Sequence, residues 1–227
     1  MECLFEVKKT QKNENKKIIL GYAPHLIDKN SFVFSPLMVE CENQVNYEAG
    51  SEYGVTMLIA HTLSPQIVNQ FADFDMGYLN AESNVGEEEL EGLLDFIHEE
   101  NFCIILTQDF LSHSLGHQIL SILCTSSLLG HFSLYLQNQP LSSCPPIGES
   151  NGMIARITQA NECELRGSSQ FALFSKLKHL EQVTIQAQDL QTQTTFVLDE
   201  NMKGVIALLK IPTSYPYYPY QKIQILK

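Results

Sequence analysis

The chain has 227 residues, 44% of them hydrophobic, enough to bury a core as one large domain or two small ones. Its formal charge of −12 is unevenly spread: residues 30–155 hold 16 acids and no Lys or Arg, while residues 1–29 and 156–227 each carry a net +2. A middle stretch without side-chain cations cannot neutralise phosphates, which excludes nucleic acid as a partner and disfavours phosphate-rich ligands.

The amino terminus, Met1-Glu2-Cys3-Leu4-Phe5-Glu6, has no basic region followed by an apolar run, so no secretory signal is expected and the chain reads as cytoplasmic. Leu4–Val7, Ile18–Tyr22 and Phe32–Phe34 are short β-prone runs, which makes residues 1–46 a stretch of N-terminal strands. From Gly50, the apolar residues Val55, Leu58 and Ile59 fall at helical spacing, and that helix is expected to end near Leu63-Ser64-Pro65. Pro65 suits the first position of a second helix capped by Ser64, with Ile67, Val68 and Phe71 buried.

The clearest helix is Glu87–Glu100. Leu90, Leu93, Leu94 and Ile97 form one apolar stripe expected to face the core. Asn84 is its expected cap, with Glu87 as the returning acid, and Glu87, Glu88 and Glu89 match the helix dipole. Phe102-Cys103-Ile104-Ile105-Leu106-Thr107 reads as a strand buried on both faces, followed by a loop over Gln108–Ser112. A helix from Ser114 to Leu129 and a strand over Phe132–Leu136 come next. The uncharged stretch Ile119–Leu136 is interrupted by Ser121, Thr125, Ser126, Ser127, Gly130, His131 and Ser133, so no direct membrane span is expected there.

This succession predicts an α/β fold: an open, mostly parallel sheet with covering helices, in an acidic α/β domain over residues 47–149. Beyond it, Met153–Thr158, Phe171–Phe174, Val183–Ala187, Thr195–Leu198 and Val205–Ile211 read as strands, so residues 150–227 form a β-rich C-terminal region. Ser175–Leu180 reads as one helical turn.

The chemistry-bearing residues are few. The six cysteines include no C-x-x-C pair, which argues against a zinc ribbon or an iron–sulfur site. Asp109, His113 and His117 are spaced by four, so a single helix would present them together as metal ligands, although no further partner is identifiable. Asp109, Ser112 and His113 also lie where ligands bind in open α/β sheets, past the carboxyl end of a strand. Gly148-Glu149-Ser150-Asn151-Gly152 lacks the P-loop pattern and reads as a turn. No G-x-S-x-G elbow or dinucleotide fingerprint occurs, so no catalytic residue and no cofactor are expected. Tyr215, Tyr217, Tyr218 and Tyr220, interleaved with prolines, make either a docking surface for a protein partner or a loop packed on its own domain.

Gly50-Ser51-Glu52-Tyr53-Gly54-Val55-Thr56-Met57-Leu58-Ile59-Ala60 and Gly77-Tyr78-Leu79-Asn80-Ala81-Glu82-Ser83-Asn84-Val85-Gly86-Glu87-Glu88-Glu89 resemble the later α/β part of a known protein. It is the large iron–sulfur subunit of bacterial NADH-quinone oxidoreductase (complex I), in the form found in the Helicobacter and Campylobacter group. Thr195-Phe196-Val197-Leu198-Asp199-Glu200-Asn201-Met202-Lys203-Gly204 is similar to its carboxyl-terminal β region. The resemblance covers about half of the chain and implies a molybdopterin-oxidoreductase fold. That family holds its clusters with Cys-x-x-Cys groups in amino-terminal domains, which have no counterpart here. The resemblance therefore implies a cofactor-free accessory or truncated subunit that meets other respiratory-complex subunits, peripheral to the inner membrane. The alternative is a small α/β enzyme with a pocket near Asp109 and His113.

Overall fold

A computed structural model describes residues 16–70, 75–98, 101–130, 132–137, 153–187, 190–215 and 218–226. The chain divides into two compact units, Met1–Ser143 and Cys144–Lys227.

In the first unit, β1 (Lys16–Leu20), β2 (Ser31–Phe34), β3 (Asn43–Val45), β4 (Phe102–Leu106) and β5 (Ser133–Leu136) form a parallel sheet in the order β3-β2-β1-β4-β5. Residues 1–46 and 47–149, set apart in the sequence, thus both contribute strands to one sheet, with β1 at its centre. Ile18 lies beside Phe32 on one side and Ile104 on the other. The continuous apolar runs of β1 and β4 follow from this central place, where both faces are covered. Ile18, Leu20, Phe32, Phe34, Ile104 and Leu106 join the core that contains the helices, while Ile19, Val33, Cys103, Ile105 and Tyr135 form a second core packed by Leu26, Ile27, Val39 and Cys41. The second face is therefore covered by the short connections around β2, one of which carries a 3-10 turn at Pro24–Leu26.

Helix α1 (Glu52–Leu63) is buried along most of its length. The segment after Ser64 is a 3-10 helix, Pro65–Gln70, rather than an α-helix, and the Ser64 hydroxyl donates to the Ser126 carbonyl. Ile67 is buried as expected, whereas Phe71 lies outside the described residues. A helix not expected from the pattern, α2 (Met76–Ser83), starts at Asp75, whose carboxylate accepts the Tyr78 N–H. Asn84 closes α2 in the left-handed conformation at φ 58°, which Asn tolerates, so it does not cap the next helix. That cap is Gly86, whose N–H is accepted by the Glu89 carboxylate at 2.9 Å.

Helix α3 (Glu87–Ile97) buries Leu90, Leu93 and Ile97, but Leu94 is 47% exposed. The expectation that Leu94 faces the core is thereby corrected: the buried stripe is narrower than the apolar stripe in the sequence. After β4, the expected loop is a helical turn, α4 (Gln108–Leu111), followed by α5 (Gly116–Gly130). Ile119, Ile122 and Leu123 of α5 are buried. The uncharged stretch thus divides into α5 and β5, and among the described residues no helix is long and apolar enough to cross a membrane.

In the second unit, β6 (Met153–Gln159), β7 (Glu164–Gly167), β8 (Gln182–Ala187), β9 (Leu190–Leu198), β10 (Ile206–Ile211) and β11 (Tyr220–Leu226) close into a barrel, in the order β10-β6-β11-β8-β9-β7. The pairs β6–β10 and β7–β9 are parallel and the other neighbours antiparallel. Alternate residues, including Ile157, Leu165, Val183, Ile185, Phe196, Leu209 and Ile223, fill its core. Among the described residues, each of the six strands is paired on both sides.

The expected strand Phe171–Phe174 is instead a helix, α6 (Ser169–Ser175), capped by the Ser168 hydroxyl, which accepts the Phe171 N–H at 3.1 Å. Phe171 packs against Phe196 in the barrel core. Gly167 admits the Phe171 ring, because a Cβ there would lie 2.7 Å from its Cδ1.

Candidate functional site

In the order β3-β2-β1-β4-β5 the chain moves outward in opposite directions from β1 and β4, so their carboxyl ends flank the crevice where open α/β sheets hold ligands. Ligand-binding members of this architecture commonly offer a loop N–H after the first strand, or a helix N-terminus, to an anion. Here the loop N–H meets a side chain of the protein itself. The carboxylate of Asp109, in the first turn of α4 and 0% exposed, accepts the N–H of Tyr22 at 2.8 Å. Gly21, at φ 103°, lets the chain pass so closely that a Cβ would stand 2.0 Å from Thr107 Oγ1 and 3.0 Å from Asp109 Cβ. At this point the crevice is packed by Thr107 and Asp109.

A second polar cluster is built from the starts of α1 and α5. Glu52, also 0% exposed, accepts the Tyr47 hydroxyl at 3.3 Å. His113 places Nε2 3.2 Å from the Gly50 carbonyl and 3.9 Å from Glu52 Oε2. Its Nδ1 accepts the Leu115 N–H at 3.1 Å, so the proton of the neutral ring sits on Nε2 and is donated to Gly50. Burial pushes the His113 pKa down, against an upward pull from its bond to the Gly50 carbonyl. A buried glutamate, a phenol and a neutral imidazole could relay a proton. In this arrangement they chiefly tie the β3–α1 connection to the segment between α4 and α5.

The structure does not bring Asp109, His113 and His117 to one point. Spacing by four aligns side chains only along a continuous helix, and here helix α4 ends at Leu111 and α5 begins at Gly116. Asp109 turns to Tyr22, His113 to Gly50, and His117 is exposed. Ser112 donates to the Gln108 carbonyl at 2.6 Å, closing the helical turn. Among the described residues, no three His, Cys, Asp or Glu side chains are placed to hold a metal ion. The roles of Tyr47 and Glu52 had no local signal in the sequence, because a glutamate at a helix start is usually solvated.

The tyrosine segment packs in part on its own unit. Tyr218 and Tyr220 are 1% and 0% exposed, with ring centroids 5.7 Å apart, and the Arg156 guanidinium lies 5.9 Å from the Tyr220 ring. Tyr220 begins β11. Tyr215 is half-buried and packs against the barrel core, and Tyr217 lies outside the described residues. Most described acids of residues 30–155, by contrast, face outward: Glu40, Glu42, Glu48, Asp75, Glu82, Glu87, Glu88, Glu89, Glu91 and Asp95 are exposed, while Glu52 and Asp109 are buried.

No family model matches the chain, and no curated protein matches it.

Proposed function

We propose that this chain is a non-catalytic accessory or truncated subunit, related to the large subunit of NADH-quinone oxidoreductase, that acts in the assembly or docking of an electron-transfer complex. The observation that carries the reading is the β1–β4 crevice, where Asp109 and Thr107 occupy the space and the N–H group that a bound anion would use. A parallel-sheet unit followed by a β-barrel unit also suits the resemblance, which expects an α/β part and then a carboxyl-terminal β region. The proposed partners are respiratory-complex subunits on the cytoplasmic side of the inner membrane, met through the acidic surface of the first unit.

The test is capture of the tagged full chain at native expression across a salt series. Recovery of defined respiratory subunits, weakening as salt rises, is expected, because exposed charges are screened beyond about 8 Å at physiological ionic strength. Failure to recover any partner, together with a nucleotide or metal travelling with the protein, would transfer the site near Asp109 and His113 to an enzyme.

A further inference from the structure

The correction at Leu94 opens onto a feature of the first unit distinct from the crevice. One face of α3, carrying Glu87, Leu90, Glu91 and Leu94 at helical spacing, borders an open depression of about 270 Å³. Pro65 and Met76 add to its apolar lining, beside His61 and Thr62. The volume lies below the roughly 300–1,000 Å³ usual for small-molecule sites, and the depression opens to solvent. It therefore suits side chains projecting from a partner surface better than an enclosed ligand. The lining comes from helical segments, with no sheet edge to extend, so a strand-like peptide finds no backbone pairing there.

Charge selects the occupant. Glu87 and Glu91 stand on the rim, with Glu88 and Asp95 exposed on the same helix, and residues 30–155 supply no Lys or Arg to balance them. Lys16, which does meet α3, donates to the Phe96 carbonyl, at the far end of the helix from Glu87. We infer that this groove docks a basic amphipathic helix of a protein partner, its apolar residues against Leu90, Leu94, Met76 and Pro65 and its cations against Glu87 and Glu91. Acidic rims of this kind speed encounter, and the apolar lining slows release. The inference rests on the docking reading above and supplies its contact.

Two labelled helical peptides decide it, one with leucines at i, i+3, i+4 and i+7 and lysines elsewhere, the other with the same leucines and glutamates. The full chain should bind the lysine peptide at least about tenfold more tightly by fluorescence anisotropy. Leu94→Ser should weaken that binding about tenfold without changing any charge, as loss of an apolar anchor does. Leu128→Ser, at an exposed leucine of α5, should leave it unchanged. The double variant Glu87→Lys/Glu91→Lys should reverse the preference between peptides. Equal binding of both peptides, or equal effects of the Leu94 and Leu128 variants, overturns the groove. So does a dimer of the free chain that Leu94→Ser dissolves, since the occupant is then a second copy. In the capture experiment, a partner retained equally by wild type and Leu94→Ser removes the groove while leaving the subunit reading intact.

Discussion

Asp109 and Tyr22 stand 87 residues apart in the chain, yet the Asp109 carboxylate, itself without solvent exposure, accepts the Tyr22 N–H at 2.8 Å. The bond joins the connection that follows β1 to the helical turn that follows β4, across the crevice that separates the two directions of winding. A carboxylate so placed satisfies a loop donor and sits in the first turn of α4, where negative charge is favoured.

Removing it should therefore destabilise the first unit rather than free a binding site. Asp109→Ala leaves the Tyr22 N–H without this acceptor and should cost roughly 1–3 kcal/mol in urea denaturation. Asp109→Asn, which retains an acceptor oxygen, should cost less. An Ala variant as stable as wild type, and newly able to bind phosphate or nucleotide, would identify the crevice as a ligand site held shut.

Gly21 offers an independent test of how tightly the crevice is packed. Gly21→Ala meets both an unfavourable positive φ and Thr107 Oγ1, and should cost about 2–4 kcal/mol. Gly204→Ala, at φ 83° with open space around the added methyl, meets the backbone penalty alone, about 1–2 kcal/mol. Equal losses at the two positions would mean that the Thr107 contact is relieved easily.

On α3 the buried and exposed leucines are adjacent. Leu93→Ala removes a fully buried side chain and should cost about 2–5 kcal/mol, whereas Leu94→Ala should change stability by less than about 1 kcal/mol. Similar losses at both positions in chemical denaturation would return Leu94 to the core and close the groove.

The α3 stripe shows what periodicity conveys and where it stops. Leu90, Leu93 and Ile97 were legible because a helix must bury one face, but the width of that face depends on what packs against it. The apolar run of β4 announced a doubly covered strand, whereas β1 read only as a short β-prone run. Their adjacency did not appear, because parallel partners are chosen by crossovers through distant sequence. Asn43-Gln44-Val45 and Glu164-Leu165-Arg166-Gly167 are too short and polar to stand out as strands, yet they extend the sheet and close the barrel. Phe171-Ala172-Leu173-Phe174 is apolar enough to suggest a strand, but the Ser168 cap turns it into helix. The site was least legible of all: Asp109 and His113 were singled out by their position after a strand. Their actual partners, Tyr22, Gly50 and Glu52, come from connections far away in the chain.

His113 makes stability depend on pH in a direction fixed by its surroundings. Burial lowers its pKa from the ordinary value of 6.5, and the Nδ1 bond from the Leu115 N–H requires that nitrogen to be free of a proton. The unfolded chain therefore binds a proton here more readily than the folded one. By linkage, the stabilisation is fully present above about pH 6.5 and is lost as pH falls from there through the folded-state pKa. Other groups facing the ring include the Gly50 carbonyl and the buried Glu52, whose carboxylate stands 3.9 Å from Nε2. Acid-side losses from Asp28 and Glu164, whose pKa values are also lowered, begin only as pH falls through the ordinary carboxylate range and continue below it, so they fall in a separate window. Stability measured by urea denaturation should thus decline from pH 7 to pH 5.5 in wild type. His113→Asn, which offers an oxygen near the position of Nδ1, should lower stability overall yet flatten that decline. An unchanged slope in the variant would place the titration elsewhere, whereas stability that rises on acidification in wild type would mean that Glu52 holds the imidazolium and raises its pKa.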